Sequence, residues 1–125
     1  MSTSASRRYR TSGSVSIESV LVIPLFLVTL FAILQGSLWV YAGSVAQAAA
    51  QDGVRAGTVW GGTAADGVAL AQSVLHARDS GTDWTVTATP AATTLTVAVT
   101  GHCLSIVPGL ELTVYESATL PWERP

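Results

Sequence analysis

From Ser19 to Gln51 the chain carries no Asp, Glu, Lys, Arg or His. Within that stretch Val20 to Val40 is apolar almost throughout, with Gln35 as its one side-chain amide. A helix rises about 1.5 Å per residue, so roughly 20 such residues cross a hydrocarbon core ~30 Å thick. The pattern predicts a transmembrane helix. Ser44 to Trp60 prolongs it. This part is rich in Ala, the best helix former, and Val45, Ala49, Asp52 and Ala56 fall near helical spacing. Gly53 and Gly57 each weaken the helix by about 1 kcal/mol relative to Ala. With Ala49 they also form a small-residue face, which suits either the close approach of another helix or local flexibility. Gly61-Gly62 ends the segment.

The pattern then changes. Thr63 to Asp66 has the form of a capping box with Asp in place of Glu, opening a second helix over about Ala64 to Asp79. Val68, Ala71, Val74 and Leu75 mark its buried stripe, Arg78 near its end complements the helix dipole, and Ser80-Gly81 stops it. Beyond this the period falls to two. Trp84, Val86 and Ala88 alternate with Thr85, Thr87 and Thr89. A turn at Pro90 to Thr93 follows, and then Leu95, Val97 and Val99 alternate with Thr94, Thr96 and Thr100. Gly101 to Gly109 reads as a connector with a Pro108-Gly109 turn. Leu110, Leu112 and Val114 read as the start of a third strand, with Glu111, Thr113 and Tyr115 facing outward.

One amphipathic helix and three amphipathic strands can cover each other's apolar faces. The expectation is therefore an α+β fold. It has a long N-terminal transmembrane helix, a second short helix and a small three-stranded antiparallel sheet. Residues 1–13 form a basic leader, 14–60 the long helix with its extension, and 63–125 the small domain. About 60 residues is near the lower limit for independent stability, so the domain is expected to lean on the long helix or on neighbouring subunits. Residues 1–12 have no apolar periodicity and are expected to be disordered.

Charge orients this arrangement. Only 11% of residues are charged, and the net charge is −2. Arg7, Arg8 and Arg10 precede the apolar run, whereas every acid except Glu18 follows it. By the positive-inside rule the leader stays in the cytoplasm and the small domain faces the other side of the cell membrane. Trp39 and Tyr41 close the apolar run where an interfacial aromatic anchor is expected. The folded part lacks the basic and aromatic clustering of a nucleic-acid binder.

Candidate chemistry is sparse. His76 and His102 have no partner at zinc spacing, so no metal or other cofactor is expected. His102 and Cys103 are adjacent, and on an extended backbone they face opposite ways, whereas a Cys–His catalytic pair must converge. No Gly-x-Ser-x-Gly elbow or phosphate-binding glycine loop is present. Asp79 and Asp83 flank a turn, which reads as a solvated loop. Cys103 is the single cysteine and reads as a buried small residue, with an intermolecular disulfide as the other use. Trp60, Trp84 and Trp122 read as core or edge packing, and Trp122, in a Pro-flanked tail, also as a partner contact. No catalytic residue emerges.

Glu18 is the anomaly, because an acidic residue at the head of an apolar run is atypical of a secretory signal peptide. A short basic leader ending in Gly13, then Ser14-Val15-Ser16-Ile17-Glu18, then an apolar helix with Pro24 resembles the prepilin class. Glu18 to Pro24, the stretch Gln51 to Gly57 and the late Val107-Pro108-Gly109-Leu110 resemble, within that class, the TadE-like proteins of tight-adherence (Flp-type) pilus systems. In that class a membrane aspartyl peptidase cuts after the glycine. The resemblance therefore implies processing between Gly13 and Ser14, and places Glu18, fifth in the mature chain, at a subunit assembly contact. Major Flp pilins carry tyrosine after the glutamate and are very short. This chain has Ser19 and a further domain, which points to a minor, pseudopilin-type component.

The function so implied is non-enzymatic. It is a single-pass membrane protein that assists pilus or secretion-machine assembly, with the lipid bilayer, pilin-like subunits, the assembly platform and a prepilin peptidase as partners. Two alternatives stay open. One is a bitopic anchor whose external domain binds something unrelated to pili. The other is a secreted domain released near Ala48-Ala49-Ala50.

Overall fold

The computed structural model describes residues 2–123, with side chains from Ile17 onward. Five elements follow in chain order: α1 (Ser2–Thr58), α2 (Ala64–Ala77), β1 (Gly81–Pro90), β2 (Thr94–Cys103) and β3 (Thr113–Pro121). This is the expected α+β set of a long apolar helix, a short helix and a three-stranded antiparallel sheet in the order β1-β2-β3. The chain divides into two compact units, Met1–Leu34 and Gln35–Pro125.

In the first unit the backbone is helical from Ser2, where disorder was expected. No Gly or Pro interrupts the chain before Gly13, Ala5 and the arginines favour helix, and lengthening an existing helix needs no new nucleus. Every side chain from Ile17 to Leu34 is exposed. Pro24 lies inside the helix and has no backbone N–H to donate.

The second unit is built on the rest of α1. Gln35, Ala42, Val45, Ala46, Ala49, Ala50, Gly53, Val54, Gly57 and Thr58 are buried, recurring every three to four residues along one face. That face packs with Leu95, Val97 and Val99 of β2, Val114 of β3, and Ala71 and Leu75 of α2 in one core. The helix on which the domain was expected to lean is thus part of that core.

Neighbouring atoms fix the strand directions. Leu95 lies by Gly57, Val97 by Gly53 and Cys103 by Gln35, so β2 runs opposite to α1. Thr113 lies by Trp39, Glu116 by Gly43 and Glu123 by Thr58, so β3 runs with it. The β2–β3 loop therefore lies at the Gln35 end of this unit, and the β1–β2 turn at the Thr58 end.

The sheet follows the alternation read from the sequence. Val97 pairs with Ala88 on one side and Ala118 on the other, facing the helices. On the outer face Thr96 pairs with Thr89 and Thr119, and the Thr96 and Thr119 hydroxyls are 2.8 Å apart. The edge strands β1 and β3 end in Pro90 and Pro121, whose missing N–H groups blunt further strand pairing. The β1–β2 register slips between Thr82 and Thr85, where Asp83 adopts φ +57°. This bulge seats the Trp84 indole over Gly101, where a Cβ would collide with the ring.

Three boundaries differ from expectation. β2 extends through Cys103, and β3 begins at Thr113 rather than Leu110. Leu110 and Leu112 belong to the loop, which the bonds Cys103 N–H to Leu112 O and Leu110 N–H to Val107 O fold back on itself. α2 ends at Ala77, and Arg78 is its extended C-cap, so His76 is the basic residue of the last turn. Its N-terminus is capped as read. Thr63 Oγ1 accepts from Asp66 N–H, and Asp66 Oδ2 accepts from Thr63 N–H.

Candidate functional site

The residues singled out in the sequence fall into two groups along α1. Gly13 and Ser14 lie in its helical first unit, and their surroundings are outside the described residues. Glu18 is exposed at the head of the apolar run. Trp39 and Tyr41 are half exposed in the second unit, and the Trp39 indole N–H donates to Thr113 O at 3.2 Å. Trp39 therefore fastens the start of β3 to α1, a role its position in the sequence did not reveal.

Gln35 makes a contact that the sequence also left unassigned. It is 4% exposed, and its amide uses both ends on the β2–β3 loop. Nε2 donates to Leu104 O at 3.1 Å and approaches Cys103 Sγ at 3.4 Å, while Oε1 accepts from Ile106 N–H at 2.9 Å. An amide with no partner in an apolar setting costs several kcal/mol by transfer to hydrocarbon, roughly 4–8. Its presence in an otherwise apolar run was the available signal. Its partner is about 70 residues away in the chain, beyond the reach of any local pattern.

The small-residue face is also occupied. A Cβ on Gly53 would sit 2.8 Å from Gly67 O and 3.0 Å from the Ala71 Cβ. The helix that approaches closely is α2 of the same chain. Trp122 is half buried against the core, with its indole N–H donating to Ala91 O at 2.9 Å, so it latches the β1–β2 turn. Trp84 also packs against the core, but Trp60, expected in packing, is 67% exposed.

The reactive groups do not assemble. His102 lies on the outer face with Nδ1 3.8 Å from Asp83 Oδ2, while Cys103 is buried on the inner face. They point apart, as the extended backbone required. No group of three or more His, Cys, Asp or Glu side chains gathers among the described residues. What is built with care is the length of α1: an exposed apolar stretch with a mean hydropathy of 2.5, then a buried small-residue face.

That division frames the comparison with known proteins. Residues 13–55 match the family model of TadE-like proteins. The TadE-like segment starts at Gly13, includes Glu18 and the whole exposed apolar stretch, and ends at Arg55 on the buried face. The resemblance read from Gly13, Glu18 and the apolar helix is upheld over that segment. α2 and the three strands lie outside it. No curated protein and no solved structure matches the chain. Among the described residues one helix, near the N-terminus, is long and apolar enough to cross a membrane, which together with the TadE-like match suggests a single-pass membrane protein.

Proposed function

We propose that this chain is a non-enzymatic, pilin-like component of the cell membrane that helps assemble a tight-adherence (Flp-type) pilus or a related secretion machine. The observation that carries the reading is the coincidence of the TadE-like match with a helix whose side chains from Ile17 to Leu34 are all exposed and mostly apolar. A lone apolar helix of this kind requires lipid or other helices around it.

In this reading the N-terminus is cytoplasmic and the small domain, residues 63–125, faces outward, as the leader arginines favour. A prepilin peptidase cuts between Gly13 and Ser14. The cut removes Arg7, Arg8 and Arg10 and exposes the Ser14 amine. An α-amino group ordinarily titrates at about pH 8, so this amine is largely cationic at neutral pH. Glu18 of one subunit then pairs with that amine on its neighbour. An unpaired carboxylate among packed apolar helices is costly, so the pairing sets the register between subunits. Trp39 and Tyr41 hold the outer interface. Partners are the bilayer, pilin-like subunits and the assembly platform.

Intact-mass measurement of the membrane-extracted protein tests the processing step. A chain starting at Ser14 supports it. A chain starting at Met1 or Ser2 means an uncleaved anchor, and one starting near Gln51 means a secreted domain.

A further inference from the structure

We propose that the β2–β3 loop, Leu104 to Glu111, is a second membrane-contacting element that enters the outer interfacial layer. This rests on reading the apolar stretch of α1 as the membrane span.

The first observation is a shortfall in length. With Glu18 among the headgroups, Ser19 to Leu34 rises only about 24 Å at ~1.5 Å per residue, against a hydrocarbon core of ~30 Å. The bilayer therefore reaches past Leu34 to about Leu38. Gln35 lies inside that limit, and the loop is bonded to Gln35 through Leu104 O and Ile106 N–H. Because β2 ends at Gln35 and β3 begins at Trp39, the loop between them is at the same level.

The second observation is the loop's own chemistry. Ile106, Val107 and Leu110 are 43%, 36% and 38% exposed, around a Pro108-Gly109 tip with Gly109 at φ +79°. Several of its polar groups find partners. Ser105 Oγ donates to Val107 O at 2.8 Å, Leu110 N–H to Val107 O, Ile106 N–H to Gln35 Oε1, and Cys103 N–H to Leu112 O. Irregular backbone is tolerated at membrane depth only where its polar groups find partners. A loop with exposed apolar side chains and a partly bonded backbone suits the interfacial layer, where the remaining polar groups meet headgroups and water. Asp83, His102 and Glu111 flank its base and hold the insertion shallow, at headgroup level.

The test uses the full chain in phospholipid nanodiscs at one copy per disc. Val107→Cys carries an environment-sensitive fluorophore in a Cys103→Ala background, and Leu110→Cys serves should the first variant not fold. Leu27→Cys reports the span and Ser117→Cys the outer sheet. The expected result at Val107 or Leu110 is blue-shifted emission, with stronger quenching by lipids doxyl-labelled near the headgroup than near the acyl end. Ser117 should be quenched only by aqueous iodide. Iodide quenching at Val107 with a lipid-quenched Leu27 would overturn the proposal and leave the span intact. Loss of lipid quenching at Leu27 would overturn both. A blue shift present only with several copies per disc would assign the loop to a neighbouring protein and overturn lipid contact.

Discussion

Gly53 of α1 and Gly67 of α2 meet backbone to backbone: a Cβ on either would lie 2.8 Å from the other's carbonyl oxygen. Neither carbonyl can retreat, because each belongs to a helix. Gly53→Ala or Gly67→Ala should therefore destabilise the folded unit by about 2 kcal/mol, as overpacking typically does, despite Ala's better helix propensity. Gly36→Ala, where nothing lies within 4 Å, should cause no loss. Denaturant titration of the detergent-solubilised chain, followed by tryptophan emission, separates the two outcomes.

The same logic applies across the sheet. Gly101 leaves room for the Trp84 ring at the β1 bulge, so Gly101→Ala should cost about 1–3 kcal/mol. In a Trp84→Ala background the obstacle is gone and most of that cost should disappear. A double-mutant cycle reads the coupling directly. Additive losses would show that Trp84 does not set the limit.

Much of this was legible in the sequence, and the misses have physical causes. Thr63 and Asp66 announced their cap because a capping box is closed within four residues. The alternation of Leu95, Val97 and Val99 with Thr94, Thr96 and Thr100 gave β2 its faces. Leu110 and Leu112 imitated the same period while belonging to a loop, since spacing alone does not distinguish a strand from a turn that folds back on itself. The small-residue face of Ala49, Gly53 and Gly57 suited either close approach or flexibility, and the choice between them depended on the hairpin-like return of α2. Gln35 stood out by composition, yet its partners Leu104 and Ile106 were fixed only by the sheet.

The cap offers a local check. Thr63→Ala should lower stability by about 1 kcal/mol, and Thr63→Ser should restore most of it, because the hydroxyl that accepts from Asp66 N–H is kept. Faster amide exchange confined to the first turn of α2 in Thr63→Ala is the expected signature.

Glu18 tests the assembly reading. Glu18→Gln keeps size and polarity but removes the charge that would pair with the Ser14 amine. Membrane insertion should be unchanged while recovery of assembled structures falls. Wild-type assembly by this variant would exclude a charge-based register.

The bonds at the far end of the second unit have a mechanical consequence. Glu123 N–H donates to Thr58 O at 2.9 Å, and the Glu123 carboxylate accepts from Trp60 N–H at 3.3 Å. At the near end, Gln35 and Trp39 are fastened to the β2–β3 loop and to β3. The part of the helix from Gln35 to Thr58 is thus riveted to the sheet at both ends. Tension applied along α1 is shared between the rivets and loads β2 and β3 in shear, so their ladder bonds resist together rather than unzipping one at a time.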